Sequence, residues 1–469
     1  MRRVWLSLVL AVIVGAALLA GVGQGNAAEP VAAIAPWRVD PNPSTYAPPP
    51  RSDLLIRHAT ILDGAGGRID DGDILLRDRK VVAVGRGLAN PGGVREYDAK
   101  GRWVTPGIID VHSHDGTYVE PLTAVDREAG DVADNSDPDM ADTWIESAVN
   151  VQDPAFSRAL ERGVTMLQIL PGSDPIFGGR SVIVRPIAAN TIAAMKVPGA
   201  PMGFKMSCGE NPKSHGADTK RGPTSRSGVV AFTRQAFLDA QSYRDQWNRY
   251  RLGQGPAPRR DLKKEALAGI LAGDIRVHIH CYRADDLAIE LAIAREFGFH
   301  ITAFHHAVEA YKIPQLLRAS GTCAVVWGDW WGFKMEALDG IRANAPLLDR
   351  AGVCVGMHSD SPDAGQRLNI EAAKAGAAGR RAGIDIPPER MIRWTTSIPA
   401  AILGLDKRVG TLAPGYGADV VVWSGNPFSI YTRADLVLID GGIAFDRSAP
   451  YRDPASDFEL GRPTMDRPR

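Results

Sequence analysis

The stretch WVTPGIIDVHSHD (103–115) is an apolar run that ends in two histidines one residue apart. In a strand, side chains two apart point to the same side, so His112 and His114 present two imidazoles together at the strand's C-terminal end. That is half of a metal site. An isolated His-Xaa-His pair also occurs on surfaces and decides nothing alone. Three further strand-like runs end the same way, however: RVHIHC (276–281), ITAFHH (301–306) and CVGMHSD (354–360). Seven of the ten histidines thus stand at or near the ends of apolar β-type runs. Parallel strands in a barrel gather their C-terminal ends around one mouth, which would turn four separate fragments into one site.

The central region supplies enough strands for that barrel. GIIDVHSH is followed by GVTMLQIL (163–170), SVIVRPI (181–187), PMGFKMS (201–207), RVHIHC, ITAFHH, TCAVVWG (322–328) and CVGMHSD, which makes eight. Helical patterns such as ADDLAIELAIAREFG (284–298) and NIEAAKAGAAGRRAG (369–383) lie between them. An α/β fold is predicted, a (β/α)8 TIM barrel over 105–400. The third strand is the least regular of the eight. On either side, 51–104 and 401–450 alternate apolar and polar residues in short runs, which predicts a small β-sandwich built from both ends of the chain. His58 reads as an ordinary strand residue there. A length of 469 with 45% apolar residues suits one large and one small domain.

Residues 1–28 have the order of a secretory signal: Arg2 and Arg3, an apolar run over 4–22, then Gly25, Asn26, Ala27 and Ala28. A periplasmic or secreted protein is expected, with no stable membrane insertion once the leader is removed. An uncleaved membrane anchor is the alternative, since ~19 apolar residues can just span a bilayer. Residues 29–50 are Pro-rich and read as an extended linker, and 451–469 as a tail. The 54 basic and 54 acidic side chains cancel, so nothing attracts nucleic acid. Cys208, Cys281, Cys323 and Cys354 are widely spaced and read as buried small hydrophobes, not as a disulfide framework.

Two insertions follow strand ends and are expected to be lids over the mouth. One, 115–157, is acidic. The other, 211–264, carries Lys213, Lys220, Arg221, Arg226, Arg234 and Arg244 among Tyr243, Trp247 and Tyr250, and would hold an anionic group of the substrate. The null alternative for such a charge run is a solvated helix face. The glycine-rich PGSDPIFGGRS (171–181) lacks the lysine and serine of a phosphate loop, and is expected to meet substrate through its amides and Arg180. Trp327, Trp330 and Trp331 either wall the pocket or pack beneath the lid.

VTPGIIDVHSH, GVTMLQILPGS, FKMSCGENPK, HIHCYRADD, FHHAVEAYK, HSDSP and SIPAAILGLDKRVGTLAPGYGADVVVW together resemble the metal-dependent amidohydrolase superfamily, in particular its imidazolonepropionase-related branch. The resemblance runs over 51–447. It implies that His112 and His114 hold one side of a divalent metal site, and His280 and His306 the other. Asp360 would bind metal and also take the proton of the attacking water. Imidazoles and a carboxylate suit Zn2+, whose bound water is acidic enough to supply hydroxide near neutral pH.

In related enzymes a lysine at the fourth strand end is carboxylated and bridges two metals. Lys205 holds the matching place, and N6-carboxylated Lys205 would give two metals per chain. Glu210, the rival, would give one, or would contact substrate. His278 lies one step deeper than His280, as a core residue or a substrate contact. His305 and His306, being adjacent, should face opposite ways, and the FHHAVEAYK pattern selects His306. His358 and Tyr282 are further candidate substrate contacts.

The expected protein is an exported amidohydrolase that cleaves the C–N bond of an amide, cyclic amide or peptide in a small molecule through metal-activated water. Related enzymes are often homo-oligomers. A dipeptidase-like enzyme of Xaa-Pro or Xaa-Arg/Lys type is one alternative. A non-catalytic binding protein on a barrel scaffold is the other, and the intact ligand set argues against it.

Overall fold

Period-two alternation turns the flanks into strands. β1 (Leu54–Leu62), β2 (Arg68–Arg77), β3 (Lys80–Gly85), β4 (Arg95–Asp98) and β5 (Trp103–Pro106) come from the N-terminal side. A computed structural model describes residues 34–120, 128–330 and 332–449. The expected signal at 1–28, the first residues of the linker, Trp331 and the tail at 451–469 lie outside the described residues, as does 121–127 of the acidic insertion. Among the described residues no helix is long and apolar enough to cross a membrane.

Asp78 and Arg79, with φ of 51° and 65°, make the two-residue turn between β2 and β3, the geometry that matches strand twist in a hairpin. The far end of the chain adds β15 (Val420–Trp423), β16 (Ala434–Ile439) and β17 (Gly442–Asp446). By hydrogen bonding the two flanks form a single eight-stranded sheet in the order β17-β16-β15-β5-β1-β2-β3, with β4 beside β1. β5 and β15 are the junction, running antiparallel with Val104 opposite Val422. Along β15 alternate residues serve different clusters: Val420 and Val422 pack with Leu54, Ile56 and Ile74, while Val421 and Trp423 pack with Val164 and Leu167 of the central region. The sheet is thereby fastened to that region through one strand face.

The central strands are β6 (Ile108–Ser113), β7 (Val164–Ile169), β8 (Phe177–Arg180), β9 (Val182–Val184), β10 (Met202–Ser207), β11 (Ile275–Cys281), β12 (Ile301–His306), β13 (Cys323–Val326) and β14 (Val355–Met357). They form an α/β arrangement of TIM-barrel type, recorded as a six-stranded sheet, β14-β13-β12-β11-β10-β8, and a three-stranded one, β6-β7-β9. β10 to β14 are parallel, as are β6 and β7. The expectation of eight parallel strands fails at the third. β9 is antiparallel to β7, and β8 is antiparallel to β10. A parallel crossover is usually made by a helix, and the chain between Ile169 and Val182 carries only the short β8, so β9 returns antiparallel beside β7. The stretch then edges both sheets. At the other side, the Asp360 amide donates to the His112 carbonyl at 2.9 Å, which brings the end of β14 to β6.

Three other expectations are corrected. The cysteines are paired, Cys208 with Cys281 and Cys323 with Cys354. β10 neighbours β11 and β13 neighbours β14, so residues 73 and 31 positions apart meet across a strand pair. The linker is docked. Trp37 is buried and donates through Nε1 to Asp274 at 2.8 Å, packing with Tyr243 and Trp247. Further on, the Tyr46 hydroxyl donates to Asp440 at 2.7 Å.

The basic insertion is no lid. Its helix Arg226–Arg251 buries Val229, Thr233, Phe237, Ala240, Tyr243 and Trp247 along one face, with Phe237 stacked on Phe299 and tilted against Phe297. A face with that spacing packs against the side of the barrel. Four of the insertion's arginines are engaged locally: Arg226 with Asp286 and Glu336, Arg234 with Glu296, Arg244 with the Leu271 carbonyl, and Arg221 with the Ser136 carbonyl.

Because Trp37 is a core residue, Trp37→Ala should destabilise the protein by about 3–5 kcal/mol in denaturant unfolding. A solvated linker would give no change.

Candidate metal centre

The residues at the mouth are set by strand ends. His112 and His114, two apart at the end of β6, bring their Nε2 atoms to 3.3 Å. His114 donates from Nδ1 to the Leu170 carbonyl at 2.9 Å, which leaves its Nε2 lone pair facing the site. Asp360 Oδ1 stands 3.1 Å from His112 Nε2 and 3.4 Å from His114 Nε2. Asp110 accepts from the amides of His112 and Ser359 at 3.1 and 3.3 Å, holding the two loops together. From β10, Lys205 puts Nζ 3.2 Å from His112 Nε2 and donates to the Pro171 carbonyl at 3.1 Å.

His280 and His306 meet with ring centres 4.4 Å apart. His358 stacks on His112 at 4.9 Å and 11°. One ligand atom each from His112, His306, His358 and Asp360 lies within 4.8 Å of the others. The four sequence fragments therefore converge.

His305 and His306 do not face opposite ways: both rings lie against His112, at 4.8 and 5.1 Å. His306 has φ of 69°, which breaks the strand alternation that the expectation assumed. Asp360, at φ of 60°, is in the same region. Positive φ costs a non-glycine residue energy and gathers at functional sites.

Two candidate substrate contacts lie elsewhere. His278 is fully buried below the cluster, bonded to His305 at 2.9 Å and Gln168 at 3.2 Å. Arg180 lies on the Trp144 ring at 4.5 Å and donates to the Trp37 carbonyl at 3.2 Å. It is 4% exposed, and burial pushes its pKa down to about 10. The antiparallel course of β8 turns it away from the mouth.

Glu210 is 3.6 Å from Lys334 and outside the histidine cluster, at the start of the helix Glu210–Thr219. Tyr282 stacks on His306 at 5.1 Å and 12°, and burial holds its hydroxyl well above the usual phenol range. Trp327 lies 4.3 Å from His306 and 4.9 Å from Trp330, so these two wall the site. Sequence reasoning missed Lys334, whose Nζ is 4.0 Å from the Tyr282 ring centre, and nothing in GFKMEA marks it.

Burial holds the imidazoles of His112, His280, His305 and His306 well below the usual histidine range, and takes those of His278 and His358 to about 3. All are neutral, the form that ligates metal. Lys205 is pushed down to about 8 by burial, against the pull of Asp360 and Asp174. Buried His280 Nε2, His306 Nδ1 and both nitrogens of His358 have no hydrogen-bond partner among the described residues. Such orphans are costly, and a divalent cation would take the one lone pair that each neutral ring offers. The donor set fits such a cation.

Residues 253–444 match the amidohydrolase family. Over 375 residues, 75% of the chain, it is 31% identical to the amidohydrolase tasK of Hapsidospora irregularis, of which the match covers 37%. A stretch of 71 residues, 15% of the chain, is 41% identical to 14% of the N-acyl-D-aspartate deacylase of Alcaligenes xylosoxydans xylosoxydans. The chain thus spans well under half the length of these curated relatives. The crystal structure of an amidohydrolase from Thermotoga maritima is similar with a TM-score of 0.78 at 31% identity, covering 84% of this chain and all of that one.

The orphaned ring of His358 gives a direct test. His358→Leu should leave the metal-free protein at least as stable, because two unpartnered nitrogens are removed. Metal affinity should fall by about tenfold or more. Thermal unfolding with and without added zinc reads both, and an unchanged zinc-induced shift would exclude His358 from the site.

Proposed function

The chain belongs to the metal-dependent amidohydrolase superfamily, and from that we propose that it hydrolyses a carbon–nitrogen bond of a small molecule, an amide, cyclic amide or peptide. The observation that carries the reading is the position of Asp360. Its carboxylate touches both His112 and His114, yet the side chain keeps 22% of its surface exposed. It reaches from the ligand cluster toward the substrate side.

His112, His114, Lys205, His280, His306 and Asp360 would hold the divalent metal, with His358 as a further donor at the same place and zinc the ion their chemistry suits. When bound, such an ion polarises a carbonyl and makes water nucleophilic near neutral pH. The rest falls to the chain. Asp360 accepts a proton from the attacking water on one carboxylate oxygen and delivers it to the departing nitrogen. His114 is held in one tautomer by the Leu170 carbonyl. Tyr282 and Trp327 shut bulk water from the inner side of His306.

Lys205 has a role that its burial explains. An ammonium enclosed by imidazoles is expensive, and deprotonation near pH 8 leaves a free amine. That amine can attack carbon dioxide: an N–C bond forms, one proton leaves, and the product is a carbamate anion with two oxygens to offer. We read a second metal into the site on this ground. We also read the two central sheets as one (β/α)8 barrel and the flanking sheet as a sandwich around its own apolar cluster. We propose export as well, on the signal-like order of residues 1–28 in the sequence, and the two disulfides are consistent with an oxidising compartment.

Asp360→Asn should lower kcat/KM by about 10²–10⁴ on whichever amide, lactam or dipeptide of a panel is turned over. Activity within tenfold of the parent would remove the proton-shuttle role. Lys205→Ala should lose metal, measured by elemental analysis, with partial rescue by short carboxylic acids. Full metal in Lys205→Ala together with loss in Glu210→Ala would instead favour a one-metal site.

The pH dependence has a definite sign. The Lys205 amine is half free at about pH 8 and mostly protonated well below it, so bicarbonate-assisted metal uptake should rise from pH 6 through 8 and level off only above about 9. A flat profile would count against the carbamate.

A further inference from the structure

Arg221, Arg226, Arg234 and Arg244 are engaged by neighbouring groups, and a further cation stands beside the histidine cluster. Lys334 lies in the loop after β13 with its side chain 21% exposed. Its Nζ is 4.0 Å from the centre of the Tyr282 ring, and that ring stacks on His306. The ammonium donates to Asn211 Oδ1 at 2.5 Å and has Glu210 Oε1 at 3.6 Å. A neutral amide and a carboxylate beyond hydrogen-bond reach are thin compensation for a charge drawn from water. Burial accordingly lowers its pKa in spite of Glu210, Glu336 and Asp360.

The surroundings are aromatic. Phe333 lies 6.3 Å from Tyr282 and 5.9 Å from Trp327, and Trp330 stacks on Trp327. Phe333 is nevertheless 55% exposed, so apolar surface beside the ammonium is open to a ligand.

We propose that this is a substrate subsite, in which Lys334 binds a free carboxylate on the leaving-nitrogen side and the wall of Trp327, Trp330 and Phe333 takes an apolar side chain. The substrate class is then an acylated or peptidyl amino acid with a free carboxylate and an apolar side chain. In such a molecule the carboxylate carbon is three bonds from the scissile carbonyl carbon, which suits a cation one tyrosine ring away from His306. The ligand displaces Glu210 as the partner of the ammonium. Which bond is cut rests on the hydrolase reading; the binding preference does not.

The test uses the full chain loaded with zinc and ligands that lack the scissile amide: N-methylsulfonyl-phenylalanine as both enantiomers, its carboxamide, and N-methylsulfonyl-alanine, all by calorimetry. The acid should bind about tenfold or more tighter than the carboxamide, as one charge-assisted hydrogen bond provides, and phenylalanine tighter than alanine. Lys334→Met should bring acid and carboxamide to within about twofold at unchanged zinc content, while Glu210→Gln should strengthen acid binding several-fold. Equal binding of acid and carboxamide by the parent, a preference that survives Lys334→Met, or no binding at all would overturn the subsite. If Lys334→Met does not fold, Glu210→Gln decides, and unchanged acid affinity there marks the Lys334–Glu210 contact as a structural tie only. Retained acid preference with no hydrolysis of any panel member would sink the hydrolase reading and leave the subsite standing.

Discussion

Lys205 sets the terms on which the centre of this protein can exist. Its amine is fully buried with an imidazole nitrogen and a carbonyl oxygen as its nearest partners, and no carboxylate is within ion-pair distance among the described residues. A cation left so would oppose folding. Burial lowers its proton affinity, and those of His112, His280 and His306 fall for the same reason. The cluster is therefore a set of lone pairs enclosed in protein. A folded chain tolerates that arrangement when something positive fills it.

The enclosure is fastened from several directions. Cys208 and Cys281 join the ends of β10 and β11, the two strands that bring Lys205 and His280. Arg185, buried just beyond β9, pairs with Asp419 at 2.6 Å and Asp440 at 3.1 Å and so ties the turned-back stretch to the flanking sheet. Tyr46 of the docked linker bonds to the same Asp440. These contacts support the irregular side of the barrel, where β8 and β9 replace a parallel strand. Without them two sheet edges would meet there with little holding them in place.

Much of the site was legible because strand chemistry is local. Apolar runs ending in histidine name their own strands and single out His112, His114, His280 and the His305–His306 pair, while the choice of His306 over His305 rested on the family resemblance. What escaped depends on backbone angles or on distant partners. His306 joins His305 on the inner side because of its own φ value, which no pattern encodes. Arg180 lies in a glycine-rich loop that looks functional, yet its guanidinium meets Trp37 and Trp144, far away in sequence. The disulfides required knowing which strands are neighbours. The basic helix at 226–251 carries the spacing of a buried face, and its arginines drew attention from that periodicity. The flanks were read correctly as strands from both chain ends because alternation marks them, whereas their joining into one sheet depends on the β5 to β15 pairing.

The paired histidines of β12 show how packing below a site assigns roles within it. Gln168 donates from its amide nitrogen to Ser181 and to His278 Nε2. A neutral His278 must then carry its proton on Nδ1, and it donates that proton to His305 Nε2 at 2.9 Å. His305, also neutral, has its lone pair taken there and its own proton on Nδ1. It has nothing left to give a cation. Nδ1 is buried without a partner in both rings, but no hydrogen bond among the described residues takes a nitrogen of His306 as one takes His305 Nε2. Of two adjacent rings at similar distance from His112, the hydrogen bonds thus engage His305 and leave His306 free for the proposed metal. A buried glutamine two steps away makes that selection.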